Sequence, residues 1–335
     1  MRPLKITGII AGVLAAAVFI FFLVLSLINS SRSERWLQNP QVPGKLVDIG
    51  GNKLYCTIRG EKGPSVIIES DIGSSSPEWW HIQNELSKCC RVLTYDRAGY
   101  GWSGPDTGPR SSGRIIEDLG KLLKKTDLPG PYILVGHGLG ALYLQHFAKK
   151  NPGKVKGMVL VKPYSVSYFR LKTELERVIF SNLIDKTPSY KITRFLAKAG
   201  IIRFFQATPY VSLPDDIKQL VVENYSRPEL YAAMINEYRE SLETSIDEVK
   251  KAGPMPGVPI TVIGHSPKLF MKELMTYTLS WDEADHIDSI WNDMYDEIAK
   301  SSPRGRVIRA AKSTHNMHID EPELLVTAVK EILGR

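Results

Sequence analysis

Cysteine is scarce in this chain of 335 residues: Cys56, Cys89 and Cys90 are the full complement. An odd count with one adjacent pair is no disulfide framework. It leaves two readings, three small hydrophobes or a single bridge from Cys56 to the 89/90 pair. Zinc-type Cys/His spacing, a GxxxxGK(S/T) phosphate loop, internal repeats and long low-complexity tracts are all missing. No metal and no cofactor are implied. Nor does one sign of charge dominate: 43 Lys and Arg against 36 Asp and Glu give a net charge of +7. That surplus favours anionic membrane surfaces but is too diffuse to argue for nucleic acid. What is present is an ordinary globular balance, 43% hydrophobic and 24% charged, in a chain long enough for one large core.

Charge is absent from one whole stretch, Ile6 to Ile28. As a helix this run is about 34 Å long, enough to span the hydrocarbon of a bilayer. Arg2 and Lys5 precede it, and Arg32 and Arg35 follow, partly offset by Glu34. The bias leans towards a cytoplasmic N-terminus and an extracytoplasmic C-terminal domain. A cleaved signal peptide has a shorter apolar region, about 7–15 residues, and an A-x-A-like site; neither feature occurs here. Residues 1–30 therefore read as an uncleaved, single-pass transmembrane anchor. Residues 31–44, polar and with two prolines, read as a stalk.

Apolar β-type runs follow near Lys45–Ile49, Lys53–Arg59, Ser65–Ser70, Arg91–Asp96, Tyr132–Gly136, Gly157–Lys162, Pro259–Gly264 and Arg306–Ala311. "IGGN" between the first two marks a tight turn. Helical patterns at Pro77–Lys88, Ser112–Thr126, Leu139–Lys150 and Glu321–Leu333 separate the later runs. Such alternation calls for right-handed crossovers and a mainly parallel, eight-stranded α/β sheet flanked by helices. Residues 45–163 and 258–335 form this core. Residues 164–257 show no strand but several helical segments, at Arg170–Lys186, Tyr190–Phe205 and Pro214–Tyr225. They read as a helical cap over the crevice at the strands' carboxyl ends. Within them "KITRFLAKAGIIRFF" mixes basic and aromatic residues. It is either a helix with an apolar inner stripe and a solvated basic face, or a membrane-surface helix.

"YILVGHGLGALYLQHFAKKNP" is a strand, a glycine-rich turn and a helix, built like the nucleophile elbow G-x-S-x-G. The central position is Gly138, which suits the strained turn but brings no oxygen. With "VIIESDIGSSSPEWW", "RVLTYDRAGYGWSG", "GMVLVKP" and "STHNMHIDEPELLVTAVKEIL" in this order, the chain resembles the α/β-hydrolase superfamily, serine-hydrolase type with a helical cap. The resemblance covers roughly Lys45 to Gly334.

The resemblance places the general base at His315 and leaves His318 as a packing or surface residue. It places oxyanion-hole donors at the N–H groups of Leu139 and Ile72. The acid position at the end of the sixth strand holds Lys162, and "GHSPKLF" after the seventh has no carboxylate. Asp282, Asp285 and Asp288 lie on a charge-rich helix whose default is a solvated face. Asp71 stands where many relatives have glycine; it either pairs with Lys162 across the old site or points to solvent. Ser74, Ser75 and Ser76 read as turn and cap residues, and Ser266 in "GHSP" lacks the elbow's flanking glycine. His137 packs near the sheet and lines the pocket, while Asp96 and Arg97 brace the loop after the fourth strand.

A serine triad acts as a unit, so losing members leaves about 10³–10⁴ over water from binding and the oxyanion hole. Two readings follow: a homologue of little or no activity that binds a small apolar or ester-like ligand or an unknown protein partner, or a hydrolase with an unrecognised nucleophile or a His315-activated water. A third, an engineered loss of the serine, conflicts with Lys162, because one change would leave the acid in place.

Overall fold

The computed structural model describes residues 2–38, 42–105, 108–178, 186–210 and 213–334. Eight strands form one sheet in the order β1-β2-β4-β3-β5-β6-β7-β8. They are β1 Lys45–Asp48, β2 Lys53–Arg59, β3 Ser65–Glu69, β4 Arg91–Tyr95, β5 Tyr132–His137, β6 Val155–Val161, β7 Ile260–Gly264 and β8 Gly305–Arg309. β1 and β2 are antiparallel to their neighbours, and every pairing from β4 through β8 is parallel. Side chains alternate across the sheet, so both faces must be covered. Val66, Ile68, Ile133 and Val135 point into one core layer; Ile67, Leu93 and Leu134 point into the other.

The helices of the core are α2 Trp80–Ser87, α3 Ser112–Thr126 and α4 Gly138–Lys150. α2 supplies Ile82 and Leu86 to the first layer, while α3 and α4 supply Leu119 and Leu142 to the second. Between β6 and β7 lie α5 Tyr168–Val178, α6 Thr187–Lys198, α7 Ile201–Phe204, α8 Asp215–Tyr225, α9 Pro228–Glu240 and α10 Ile246–Lys251. After β7 come α11 Pro267–Met275, α12 Trp281–Lys300, α13 Met317–Asp320 and α14 Pro322–Ile332. The helix expected over Tyr190–Phe205 is broken at Gly200, whose φ of +77° ends α6 and starts α7. Residues 179–185, expected as the end of the first insertion helix, fall outside the described residues.

The helical insertion has its own small core, with Ala197, Ile202, Val221, Tyr225 and Leu230 closing on Tyr100. A buried ionic network fastens it to the sheet. Glu237 of α9 accepts from Arg97 at 3.0 Å, from Arg110 Nη2 at 2.7 Å and from Tyr100 Oη at 2.7 Å. Arg97 also reaches Glu69 at the end of β3, at 2.6 Å.

The N-terminal helix α1 runs from Arg2 to Gln38, beyond the charge-free stretch and into the residues expected as a stalk. Its length and composition suffice to cross a bilayer. The polar half is docked. Asn29 Nδ2 donates to the carbonyls of Ala197 (3.0 Å) and Ser226 (3.2 Å), and Arg203 Nε donates to Asn29 Oδ1 at 2.7 Å. Trp36 stacks on Trp102 at 4.4 Å. Leu25, Asn29, Ser33 and Trp36 recur on one helical face, as a packed stripe requires. The three cysteines are free thiols, so no Cys56 bridge forms; Cys56 and Cys90 are buried.

Candidate active site

The site lies at the carboxyl ends of β3, β5 and β6. β5 ends at His137 and α4 begins at once on Gly138, whose φ is +53°. That left-handed turn presents the N–H of Leu139 to the crevice. β3 ends at Glu69, and the chain leaves through Ser70, Asp71 and Ile72. Asp71 does not point to solvent; it is buried. Its Oδ1 accepts from the N–H of Leu139 at 2.8 Å and from its own neighbour, Ile72, at 2.7 Å. These are the two donors the sequence marks as the oxyanion hole. Both are taken by the Asp71 carboxylate.

Oδ2 of Asp71 lies 3.2 Å from His315 Nε2. A Cβ placed on Gly138 would overlap the Asp71 carboxyl group. The carboxylate thus takes the volume that a side chain at the elbow would enter, and the glycine makes room for it. Burial alone would raise the Asp71 pKa. The hydrogen bond from His315, the facing imidazoles and the Leu139 N–H overturn that and hold the carboxyl well below the usual carboxylate range. His137 is buried beside this pair, its ring 4.8 Å from that of His315. Burial first, and His315 second, push its imidazole down to about 3, so it is neutral at neutral pH.

Lys162 does not pair with Asp71, contrary to one of the two expectations. No ion pair joins them; Asp71 has taken His315 as its partner, and Lys162 Nζ donates to the carbonyl of Thr314 at 2.7 Å. The lysine follows β6 with φ of +41° and lies over the rings of Phe270 (4.9 Å) and Trp291 (5.4 Å). Burial lowers its pKa to about 8. Since Thr314 precedes His315, Lys162, at the position expected for the acid, holds the loop that carries the histidine.

The other candidates fall elsewhere. Asp288 orients His265, 2.7 Å away, while Asp282 and Asp285 are exposed on α12; none of the three meets His315. His318 is buried and stacks on Trp79 at 4.5 Å. Ser75 caps the turn before α2 through Glu78, and the Ser76 N–H donates to Asp96 at 2.7 Å. Ser266 holds the N-cap position of α11 without a side-chain cap bond and is tied by its N–H to the Ser313 carbonyl at 2.9 Å. Glu78, also contacted by Ser74 and by Tyr210 of the insertion, has its carboxyl pushed up to about 7 by burial, against the hydrogen bonds it accepts.

Above Asp71, His137 and His315 opens a chamber of about 870 Å³. The insertion supplies most of its aromatic wall, including Tyr190, Tyr225, Tyr231 and Tyr238. Sequence reasoning missed these tyrosines because nothing in their spacing marks them as facing one space. The ligand atoms of Asp71, His137 and His315 lie within 4.8 Å of one another. A tetrahedral divalent site brings its donors to about 3.3 Å, and here one carboxylate oxygen is already held by two N–H groups. The arrangement as it stands is a buried carboxylate held by two N–H groups and facing an imidazole, with one oxygen already spent on those donors.

A family model described as "Alpha/beta hydrolase family" matches residues 71–328. YqjL of Bacillus subtilis (strain 168) is 22% identical over 275 residues, 82% of this chain and 85% of that protein. An AB hydrolase superfamily protein of Gibberella zeae is 26% identical over 304 residues, covering 84% of this chain and 91% of the relative. A vacuolar membrane protein of Saccharomyces cerevisiae (strain S288c) is 32% identical over 123 residues, 36% of this chain and 19% of its own length. Among solved structures, an enol-lactonase from Burkholderia xenovorans LB400 superposes with a TM-score of 0.58 at 15% identity, over 87% of this chain and 100% of the other. The epoxide hydrolase CorEH gives 0.61 at 14% identity, over 87% and 98%. At such identities the likeness is one of fold.

Proposed function

Because the chain belongs to the α/β-hydrolase family, we propose that it is a membrane-anchored member that binds a small, mainly apolar or ester-like ligand without forming an acyl-enzyme. The carrying observation is the Asp71 carboxylate that accepts from both Leu139 and Ile72. An oxyanion hole works by offering fixed N–H dipoles to an oxygen as it gains charge. Here those dipoles are engaged by a permanent anion, which would repel a second one strongly in a dry crevice. Residue 138 carries no hydroxyl either, so an acyl-enzyme has neither its serine nucleophile nor free donors for its oxyanion. The chamber, in contrast, is intact. Its aromatic wall suits an apolar ligand, and α6 to α9 act as its cap. We assign α1 as the anchor, with the N-terminus cytoplasmic and the folded domain extracytoplasmic, on the run from Ile6 to Ile28 and the flanking basic residues.

The test is a fluorophosphonate probe applied to the full chain. No labelling is expected for the unmodified protein. None is expected for Gly138→Ser alone, since the new side chain meets Asp71. Labelling should return only when Gly138→Ser is combined with Asp71→Gly and Lys162→Asp. Ester turnover by the unmodified chain that His315→Ala abolishes would overturn the proposal.

One observation favours a second reading. With Oδ1 of Asp71 held by two N–H groups, Oδ2 faces both His315 and the chamber. A carboxylate so placed can attack a carbon that bears a leaving group, expelling it and forming an ester on Asp71; His315 then deprotonates the water that hydrolyses the ester. In a His315→Gln variant that ester would accumulate. A bromoalkane-derived mass on Asp71, with bromide released, would establish this route, and its absence supports the binding reading.

A further inference from the structure

Large apolar side chains are exposed at few places on the described folded domain, and four of them fall within fourteen residues: Ile192, Phe195, Phe204 and Phe205. Phe195 is 70% exposed and Phe205 72%. Lys191, Arg194 and Lys198, also exposed, intersperse them. A patch of this kind on a folded domain asks for a cover.

What covers it follows from where α1 touches. Gly200 sits against the backbone of Leu25, so closely that a Cβ would meet the Leu25 carbonyl at 2.7 Å. Phe204 meets Phe21 edge-on, with ring centroids 6.2 Å apart. Phe21 is seven residues inside the end of the charge-free run at Ile28. At 1.5 Å per residue, that is a depth of about 10 Å. Interfacial helices place their apolar face about 5–10 Å into the headgroup–acyl boundary. The docking therefore fixes α6 and α7 at that boundary whenever α1 spans. The one basic residue turned inward there, Arg203, is buried and paired with Glu223, so no bare charge enters the apolar layer. The exposed Lys191, Arg194 and Lys198 are long enough to reach back to anionic headgroups.

The opposite side of the same two helices lines the chamber, through Tyr190, Thr193 and Ile202. A single helical layer thus separates the ligand space from the apolar patch. We propose that α6 and α7 are an interfacial membrane-binding surface seated on anionic bilayer lipid, and that the chamber receives its ligand, a lipid-like amphiphile, from the bilayer. The second half rests on the ligand-binding reading above.

The test uses the full chain in nanodiscs of phosphatidylcholine with phosphatidylglycerol. In a background without its own thiols, bimane placed at Phe205→Cys should be quenched several-fold by doxyl lipids, and bimane at Trp281→Cys, exposed on α12, should not. Quenching at Phe21→Cys but none at Phe205→Cys would refute the membrane-binding surface and mean that the patch meets something else. For access, two photoreactive probes are compared, a bilayer-partitioned long-chain ester and its water-soluble short-chain analogue. The triple change Phe195→Ser, Phe204→Ser and Phe205→Ser should cut long-chain labelling of chamber residues at least several-fold and leave short-chain labelling unchanged. Equal long-chain labelling of both proteins would overturn access from the bilayer. If neither probe labels the chamber of either protein, the ligand-binding reading fails, and access from the bilayer with it, while the quenching result stands on its own.

Discussion

Gly138 and Asp71 are separated by 67 positions in the sequence and share one volume in the fold. Each looks like a separate departure from the hydrolase pattern until the carboxylate is seen against the bare Cα. Adding a methyl group at residue 138 forces a left-handed backbone on an alanine and pushes Asp71 off Leu139 and His315. Gly138→Ala should therefore cost about 2–3 kcal/mol in urea denaturation. In an Asp71→Gly background the same change should cost appreciably less, because the overlap is gone; equal costs in both backgrounds would show the two sites to be independent. Glu78 carries a pH signature of the opposite sign to Asp71. Its carboxyl is pushed up to about 7 in the fold, so the folded state binds the extra proton. Stability from this group is whole below about pH 4.5 and is lost as pH rises through 7, a change of roughly 3 kcal/mol. A Glu78→Gln variant should lose that decline between pH 5 and 8, measured as thermal midpoint against pH.

At the scale of elements, the strands were readable because a parallel sheet buries both faces and leaves continuous apolar runs such as "VIIE" and "YILV". The insertion was harder. α9 hides an acid, Glu237, on its inward face, which disrupts the apolar stripe by which a helix is recognised. The break at Gly200 is masked by apolar residues that continue on both sides. At the end of the apolar run, Asn29 and Ser33 look like solvated residues but are spent on the insertion's carbonyls and on Arg203. Glu237 ties two elements through three partners, none of which can reach water. Glu237→Ala should cost about 3–5 kcal/mol by leaving Arg97 and Arg110 buried without their shared anion. The loss should show first as faster hydrogen exchange in α8 and α9, before the sheet opens.

For the molecule as a whole, the order of motifs was enough for the fold, since five family segments in sequence leave one topology. The state of the site was only half visible. The absent hydroxyl could be read from one residue, whereas the engagement of the Leu139 and Ile72 N–H groups by Asp71 depends on where a neighbouring loop turns its side chain. Pairing of Lys162 with Asp71 was one of two expectations, and the lysine holds a loop carbonyl instead. Because α1 packs on the insertion, the domain beginning at Lys45 is not a free-standing piece. A chain of residues 45–335 should melt several degrees below the full protein in detergent and should self-associate through the uncovered face of Ala197, Ile202 and Ser226. Matching melting temperatures and a monomeric profile would show that the docking contributes little.

The stacking of Trp36 on Trp102, with Asn29 and Ser33 bonded below it, leaves no swivel between anchor and domain. A protein on a loose tether samples many heights and headings above its membrane; with α1 as the anchor proposed above, this docking predicts a single pose. Energy transfer from a dye on the domain to one at the lipid headgroups would then report one narrow distance, and any molecule bound in the chamber would always meet the bilayer from the same side.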